Sequence, residues 1–150
     1  MLEEYKKEQP LAYKIFYNAI KNNTLSHAYL LETNGYNDIN NLLIAISKAI
    51  LCGHIKKNES VNCNVCERID KNIYSELKII NPAGMWIKKE QLMELQKEFS
   101  TKSIESNKKL YIINNVECLN VSAANSLLKF LEEPEENIIA ILVTDNIHQL

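Results

Sequence analysis

Short apolar runs alternate along the chain with longer stretches in which apolar side chains recur every three or four positions. The helical spacing occurs at residues 11–20, 42–50, 87–99 and 121–132. The short apolar runs, typical of buried strands, occur at residues 28–31, 77–80, 110–113 and 138–143. Because strands that alternate with helices form parallel sheets with helices on both faces, the pattern predicts an α/β fold.

Polar residues mark the ends of two of the predicted helices. Either Asn37 or Asp38 would cap the second helix, and either Asn120 or Ser122 would cap the fourth. Pro134 cannot continue a helix, so the fourth helix should end before it. These signals support the boundaries that the apolar spacing gives.

The composition is that of an ordinary globular domain. The chain has 150 residues, of which 46% are apolar and 24% charged, and its formal net charge is −2. This balance argues against a strongly basic nucleic-acid module, although a local basic face stays possible. No apolar run approaches the roughly 20 residues of a membrane span. The charged N-terminus has no apolar signal core, so we expect a cytoplasmic location and no membrane partner.

Three of the four cysteines lie in one hydrophilic insertion, residues 52–66. Cys63 and Cys66 have the spacing at which two thiolates approach one tetrahedral Zn²⁺ ion, and Cys52 could supply a third sulfur. The same residues are compatible with three reduced thiols or with a redox pair.

A fourth ligand for such a zinc site is less obvious in the sequence. His54 is the nearest suitable side chain, and Ser60 and Glu59 are weaker candidates. The sequence therefore leaves the fourth ligand open.

The loop after the first predicted strand lies where parallel α/β proteins bind nucleotide phosphates. A phosphate loop needs glycines, a lysine for the phosphates and a serine or threonine for Mg²⁺. This loop has one glycine, Gly35, and Ile39 and Asn40 stand where the lysine and the hydroxyl residue would be. An ordinary strand-to-helix loop is the plainer interpretation, and we expect no tight ATP binding and no Mg²⁺.

The end of the third predicted strand lacks a second part of the NTPase machinery. NTPases of this type place acidic residues there, for Mg²⁺ and for the attacking water. The two positions hold Asn114 and Asn115, whose amides coordinate Mg²⁺ poorly and cannot act as a general base. We therefore expect no catalytic activity.

Four short segments carry a more specific pattern than any of these motifs alone. They are Ser26–Leu31, Ile87–Leu92, Asn120–Pro134 and Leu142–Asn146. The third, NVSAANSLLKFLEEP, is the longest and the most specific. Together they resemble the AAA+ clamp-loader subunits of bacterial DNA polymerase III, most of all those of the delta-prime type. The resemblance covers nearly all of the chain.

The resemblance implies a three-layer AAA+ core of the P-loop type with a small cysteine-bearing insertion. Hydrolysing gamma/tau subunits keep the lysine, the threonine and the acidic pair, whereas delta-prime is a stator that typically does not hydrolyse ATP. The implied function is therefore a non-hydrolysing stator that helps to load the sliding clamp in DNA replication. Its partners would be the gamma/tau and delta subunits, and through the complex the sliding clamp, primed DNA and the DNA-directed DNA polymerase. A gamma/tau-like ATPase and a zinc-binding interaction module are the alternatives.

The resemblance also bears on the metal and on an interface. The family's zinc module has four cysteines, three of which fall on Cys52, Cys63 and Cys66 and the fourth on Ser60. His54 or a water could complete the shell, so Zn²⁺ is expected.

In clamp loaders, the segment that corresponds to Glu132, Glu133 and Pro134 lies near a neighbouring subunit and DNA. Read without the family, the preceding helix is simply a core helix and its acidic end is solvated. With the family, the segment is a candidate interface.

The family continues with a Ser-Arg-Cys motif, a helical lid and a helical collar. We therefore expect residues 1–150 to correspond to the AAA+ nucleotide-fold domain, without the lid and collar.

Overall fold

The computed structural model describes residues 1–100 and 108–145. The helices are α1 (Pro10–Lys21), α2 (Ile39–Cys52), α3 (Asn64–Asp70), α4 (Lys89–Phe99) and α5 (Val121–Glu132). The strands are β1 (Ala28–Glu32), β2 (Leu77–Ile80), β3 (Lys109–Ile113) and β4 (Ile138–Thr144). Three 3₁₀ turns occur at Leu2–Tyr5, Lys57–Ser60 and Val116–Cys118. Asn146, the last residue of the fourth motif segment, lies outside the described residues.

The four strands form one parallel sheet in the order β1-β4-β3-β2. Helices separate successive strands along the chain, as parallel pairing requires. The predicted α/β class with a parallel sheet is confirmed.

The chain divides into two compact units. One comprises Met1–Ser26 and Tyr36–Ser75, and therefore holds α1, α2 and α3. The other comprises His27–Gly35 and the described residues from Glu76 onward, and holds the sheet with α4 and α5.

In the sheet unit, α4 and α5 pack together against one face of the strands. Tyr111 of β3 lies at the centre of this core and is 1% exposed. Its ring packs edge-on against Phe99 at a centroid distance of 6.2 Å and lies tilted against Phe130 at 5.4 Å. The side chains of Leu110 and Ile112, which point to the opposite face, are also buried. Burial on both faces explains why β3 is a continuous apolar run rather than an alternating one.

In the helical unit, α2 packs against α1, α3 and the N-terminal 3₁₀ turn. Helix α2 contributes the buried side chains of Ile46 and Ile50, and α3 contributes that of Ile69. Lys48 of α2 also forms an ion pair with Asp70 of α3 at 2.7 Å. The cysteine-bearing segment is therefore anchored to the long helix that precedes it.

The structure differs from the sequence-based predictions in the boundaries of two segments and in the burial of one strand. Helix α4 begins at Lys89 rather than Ile87, because Ile87 is fully buried in a bridge to Leu119 and is extended rather than helical. Strand β1 is only partly buried, with Leu30 44% exposed, because it ends the described strand order and pairs there with β4 alone. Cys52 is the last residue of α2 and does not belong to the polar loop.

Candidate functional site

The structure brings together three cysteines and one histidine. The ligand atoms of Cys52, His54, Cys63 and Cys66 all lie within 4.8 Å of one another. The sulfurs of Cys52 and Cys66 are 3.2 Å apart, and Nδ1 of His54 lies 3.5 Å from the Cys66 sulfur. One ion at the centre of this cluster would meet four donor atoms, which is the usual number in a structural zinc site.

The local backbone explains why these side chains converge. Helix α2 ends at Cys52 because Gly53 adopts a left-handed conformation, with φ of 72°, which turns the chain back toward the cluster. Cys63 is the N-cap of α3, and its sulfur accepts a hydrogen bond from the backbone N–H of Cys66 at 3.4 Å. This turn places the two thiols of the Cys-x-x-Cys motif side by side.

Burial and hydrogen bonding set the protonation of the three thiols differently. Burial raises the pKa of Cys52, and so does its hydrogen bond with Cys66. Burial likewise raises the pKa of Cys66. Burial also opposes ionisation of Cys63, but hydrogen bonds, first that from the backbone N–H of Cys66, outweigh it and lower the pKa of Cys63. Of these three thiols, Cys63 is the one whose surroundings favour the thiolate.

The structure distinguishes the candidates for the fourth ligand. The hydroxyl of Ser60 donates to the backbone carbonyl of Lys57 at 2.8 Å. The carboxylate of Glu59 accepts from the backbone N–H groups of Ile55 and Lys56 at 3.1 and 2.7 Å, and these bonds, first that from Lys56, lower the pKa of Glu59. Both side chains shape the loop, and His54 is the fourth residue whose ligand atom lies within the cluster. Three thiols and one imidazole fit Zn²⁺ by donor type.

The first half of the β1–α2 loop is fixed by a carboxylate that the sequence did not indicate. Oδ1 of Asp145 accepts from the hydroxyl of Thr33 at 2.8 Å and from the backbone N–H of Gly35 at 2.6 Å. The hydroxyl of Thr33, followed by the N–H of Gly35, lowers the pKa of Asp145. A polar residue directly after a buried strand is the signal that could have found it.

The second half of the loop leads into α2, which begins with Ile39 and Asn40. Asp38 is the N-cap residue by position, but its carboxylate binds side chains instead of the helix backbone. It accepts from the hydroxyl of Tyr5 at 3.0 Å and from the amide of Asn41 at 2.7 Å. Burial, together with this bond to Asp38, raises the pKa of Tyr5 to about 12. The first three residues of α2 are Ile39 and the two amides Asn40 and Asn41, with no cation among them.

At the end of β3, the two asparagines have different roles. The amide of Asn114 donates to the side-chain oxygen of Asn81 at 3.0 Å, at the tip of the neighbouring strand. Asn115 adopts a left-handed conformation, with φ of 54°, and leads into the turn Val116–Cys118. Asparagine tolerates this conformation better than most residues do. Both residues are engaged in local structure.

The end of α5 presents an exposed acidic segment. Asn120 caps the start of this helix, with its side-chain oxygen accepting from the N–H of Ala123 at 2.8 Å. At the other end, Glu132, Glu133 and Pro134 are all exposed. Carboxylates at a helix C-terminus are unfavourably placed against the helix dipole.

In the part of the chain that the structure describes, no helix is long and apolar enough to span a membrane.

Comparison with known proteins decides the family. A family model described as DNA polymerase III, delta subunit, matches residues 8–150. The chain belongs to this family. The DNA polymerase III subunit delta' of Bacillus subtilis is 38% identical over 148 residues, which are 99% of this chain and 45% of that protein. The predicted resemblance to delta-prime subunits is confirmed.

The chain is also similar to a tau subunit and to a solved structure. The DNA polymerase III subunit tau of Bacillus subtilis is 30% identical over 91% of this chain and 24% of its own length. A crystal structure of a gamma subunit-related protein from Thermotoga maritima matches 91% of this chain and 40% of its own, with a TM-score of 0.66 and 19% identity. That likeness supports the fold. The chain spans less than half the length of these relatives.

Proposed function

We propose that this delta-family chain acts as a non-hydrolysing stator of the DNA polymerase III clamp loader. The similarity to a delta-prime subunit carries the proposal. It is combined with the start of α2, where Ile39 and Asn40 stand at the positions that hold lysine and threonine in a phosphate loop. The amides Asn114 and Asn115 at the end of β3 support the same conclusion. The chain would bind neither ATP nor Mg²⁺ and would have no reaction of its own.

In this role the chain provides surfaces for other subunits. Its partners would be the gamma/tau and delta subunits, and through the complex the sliding clamp and primed DNA. Such a complex works with the replicative polymerase in the cytoplasm. The stretch described here would be the AAA+ nucleotide-fold domain of the subunit.

The cysteine cluster would hold Zn²⁺ as a structural ion. Its ligands would be Cys52, His54, Cys63 and Cys66, whose donor atoms lie within 4.8 Å of one another. The ion would cross-link the end of α2 to the start of α3, since Cys52 is the last residue of α2 and Cys66 lies in the first turn of α3.

The segment Glu132, Glu133 and Pro134 would be a contact with a neighbouring subunit. All three residues are exposed, and the two carboxylates oppose the dipole of α5. A basic partner surface would offset that unfavourable placement.

Co-purification of the full-length protein with its own gamma/tau and delta subunits tests the stator proposal. We expect a stable complex, which Glu132→Lys combined with Glu133→Lys weakens. The matched control is Glu90→Lys combined with Glu94→Lys, an equal charge change on exposed positions of α4. No association of the wild-type protein would contradict the proposal and would favour a separate zinc-binding interaction module.

A gamma/tau-like ATPase is the second candidate, because tau is 30% identical over 141 residues. Phosphate release from ATP, measured on the purified chain, separates the two. The stator proposal predicts release at the background rate, and release that depends on the β1–α2 loop would support the ATPase.

A further inference from the structure

The contact between Asp145 and the β1–α2 loop follows from the register of the sheet. Strands β1 and β4 run parallel, with Glu32 opposite Thr144, so the next residue of each strand, Thr33 and Asp145, emerges at the same edge. The N–H of Thr33 also donates to the carbonyl of Thr144 at 2.9 Å, which extends the pairing by one step. Asp145 therefore begins beside the loop without any distortion of the backbone.

The loop turns its own N–H toward that carboxylate. Asn34 and Gly35 are both left-handed, with φ of 49° and 77°, and this pair of conformations reverses the chain. A Cβ at Gly35 would meet nothing within 4 Å, so the conformation, and not lack of space, favours glycine there. The result is the 2.6 Å bond from the N–H of Gly35 to Oδ1 of Asp145.

One carboxylate oxygen accepts from two donors of this part of the loop. Oδ1 accepts from the hydroxyl of Thr33 and from the backbone N–H of Gly35, and backbone N–H groups are the donors that phosphate-binding loops direct at phosphate oxygens. Hydrogen bonds to an ionised acceptor are shorter and stronger than those to a neutral one. Asp145 is itself exposed, so burial in a core does not explain its position.

We infer that Asp145 is an internal anion that takes the place of a nucleotide phosphate at the N–H of Gly35 and keeps residues 33–35 in one conformation without a nucleotide. The inference rests on the proposed non-hydrolysing function and adds a residue to it. A loop without the lysine and threonine of a phosphate loop still has backbone N–H donors that need acceptors. A carboxylate on the same chain satisfies one of these donors without the loss of translational and rotational freedom that binding a separate anion requires. Asp145 is thus a positioning residue for the loop.

Nuclear magnetic resonance of the ¹⁵N-labelled 150-residue chain tests the inference, with inorganic pyrophosphate as the anion probe. In the wild type, the Gly35 amide proton should lie downfield and should not respond to pyrophosphate. In Asp145→Ala it should move upfield and then return downfield, saturably, as pyrophosphate is added. The matched control is Glu32→Gln, which removes an exposed carboxylate at the end of β1, directly before the same loop, and should behave like the wild type.

Three outcomes would overturn the inference. They are an unchanged Gly35 resonance in Asp145→Ala, an upfield shift that pyrophosphate does not reverse, and a wild type that binds pyrophosphate at Gly35 as the variant does. If Asp145→Ala does not fold, Asp145→Asn provides the test, because asparagine keeps an acceptor oxygen but not the charge. The Gly35 amide proton of Asp145→Asn should resonate between the wild-type position and the upfield position expected without the bond. A Gly35 resonance at the wild-type position would overturn the inference. Wild-type ATP hydrolysis would instead contradict the stator proposal, so the two failures are distinguishable.

Discussion

The cap of α5 gives the sharpest stability prediction, because one side chain in the most specific sequence segment has one clear structural role. Oδ1 of Asn120 accepts from the N–H of Ala123 at 2.8 Å, which satisfies one of the free N–H groups at the helix start. Asn120→Ala removes this bond, while the backbone bonds that the residue makes with Ile87 and Ala124 can remain. Loss of such a cap costs about 1 kcal/mol, within a range of about 0.5–2 kcal/mol.

Thermal unfolding followed by far-UV circular dichroism measures this cost. For a domain of this length, about 1 kcal/mol lowers the melting temperature by about 2–4 °C. Asn120→Asp keeps a capping oxygen and should unfold near the wild-type temperature. Asn125→Ala, at an exposed interior position of the same helix, should be neutral or slightly stabilising because alanine has the higher helix propensity. Equal melting temperatures for Asn120→Ala and the wild type would refute the assigned cap.

Three further predictions concern the core, the metal and the loop. Leu127→Ala should lower the free energy of unfolding, measured in urea, by about 2–5 kcal/mol because Leu127 is only 5% exposed. Leu128→Ala, at a position that is 54% exposed, should lower it by under about 0.5 kcal/mol. Similar losses for the two variants would contradict the packing of α5. Cys66→Ser should abolish the zinc content measured by plasma mass spectrometry, and Cys118→Ser should retain it; equal zinc in both would contradict the proposed ligand set. The pKa of Asp145 is lowered from 3.8 by its hydrogen bonds to the loop. The carboxylate should therefore stabilise the folded chain above pH 3.8, and this stabilisation should be lost as the pH falls through the lower pKa of the folded state. A difference in melting temperature between the wild type and Asp145→Ala that persists below the folded-state pKa would contradict this.

The fold was predictable because its elements follow from local apolar spacing. The runs at Leu77–Ile80 and Val121–Glu132 match the structure residue for residue, since a short apolar run and an amphipathic helix leave strong signals. The start of α4 was not predictable in the same way. Ile87 continues the helical spacing, but a bridge to Leu119, which is 32 positions away in sequence, holds it extended.

The candidate sites were predictable only where neighbours in sequence supply the chemistry. The Cys63-x-x-Cys66 turn could be recognised from spacing, and Cys52 from its proximity. The preference for His54 over Ser60 needed the structure, because it depends on which side chain the loop already uses. Asp145 also needed the structure, because the sheet pairs its strand with one that is more than 100 residues away in sequence.

We propose that the chain combines a nucleotide-binding type of fold with no nucleotide chemistry of its own. The most direct test is a calorimetric titration of the purified chain with ATP in the presence of Mg²⁺, with a hydrolysing gamma/tau subunit as the positive control. Ile39 and Asn40 in place of lysine and threonine predict no saturable heat for this chain. Binding with micromolar affinity would contradict the account.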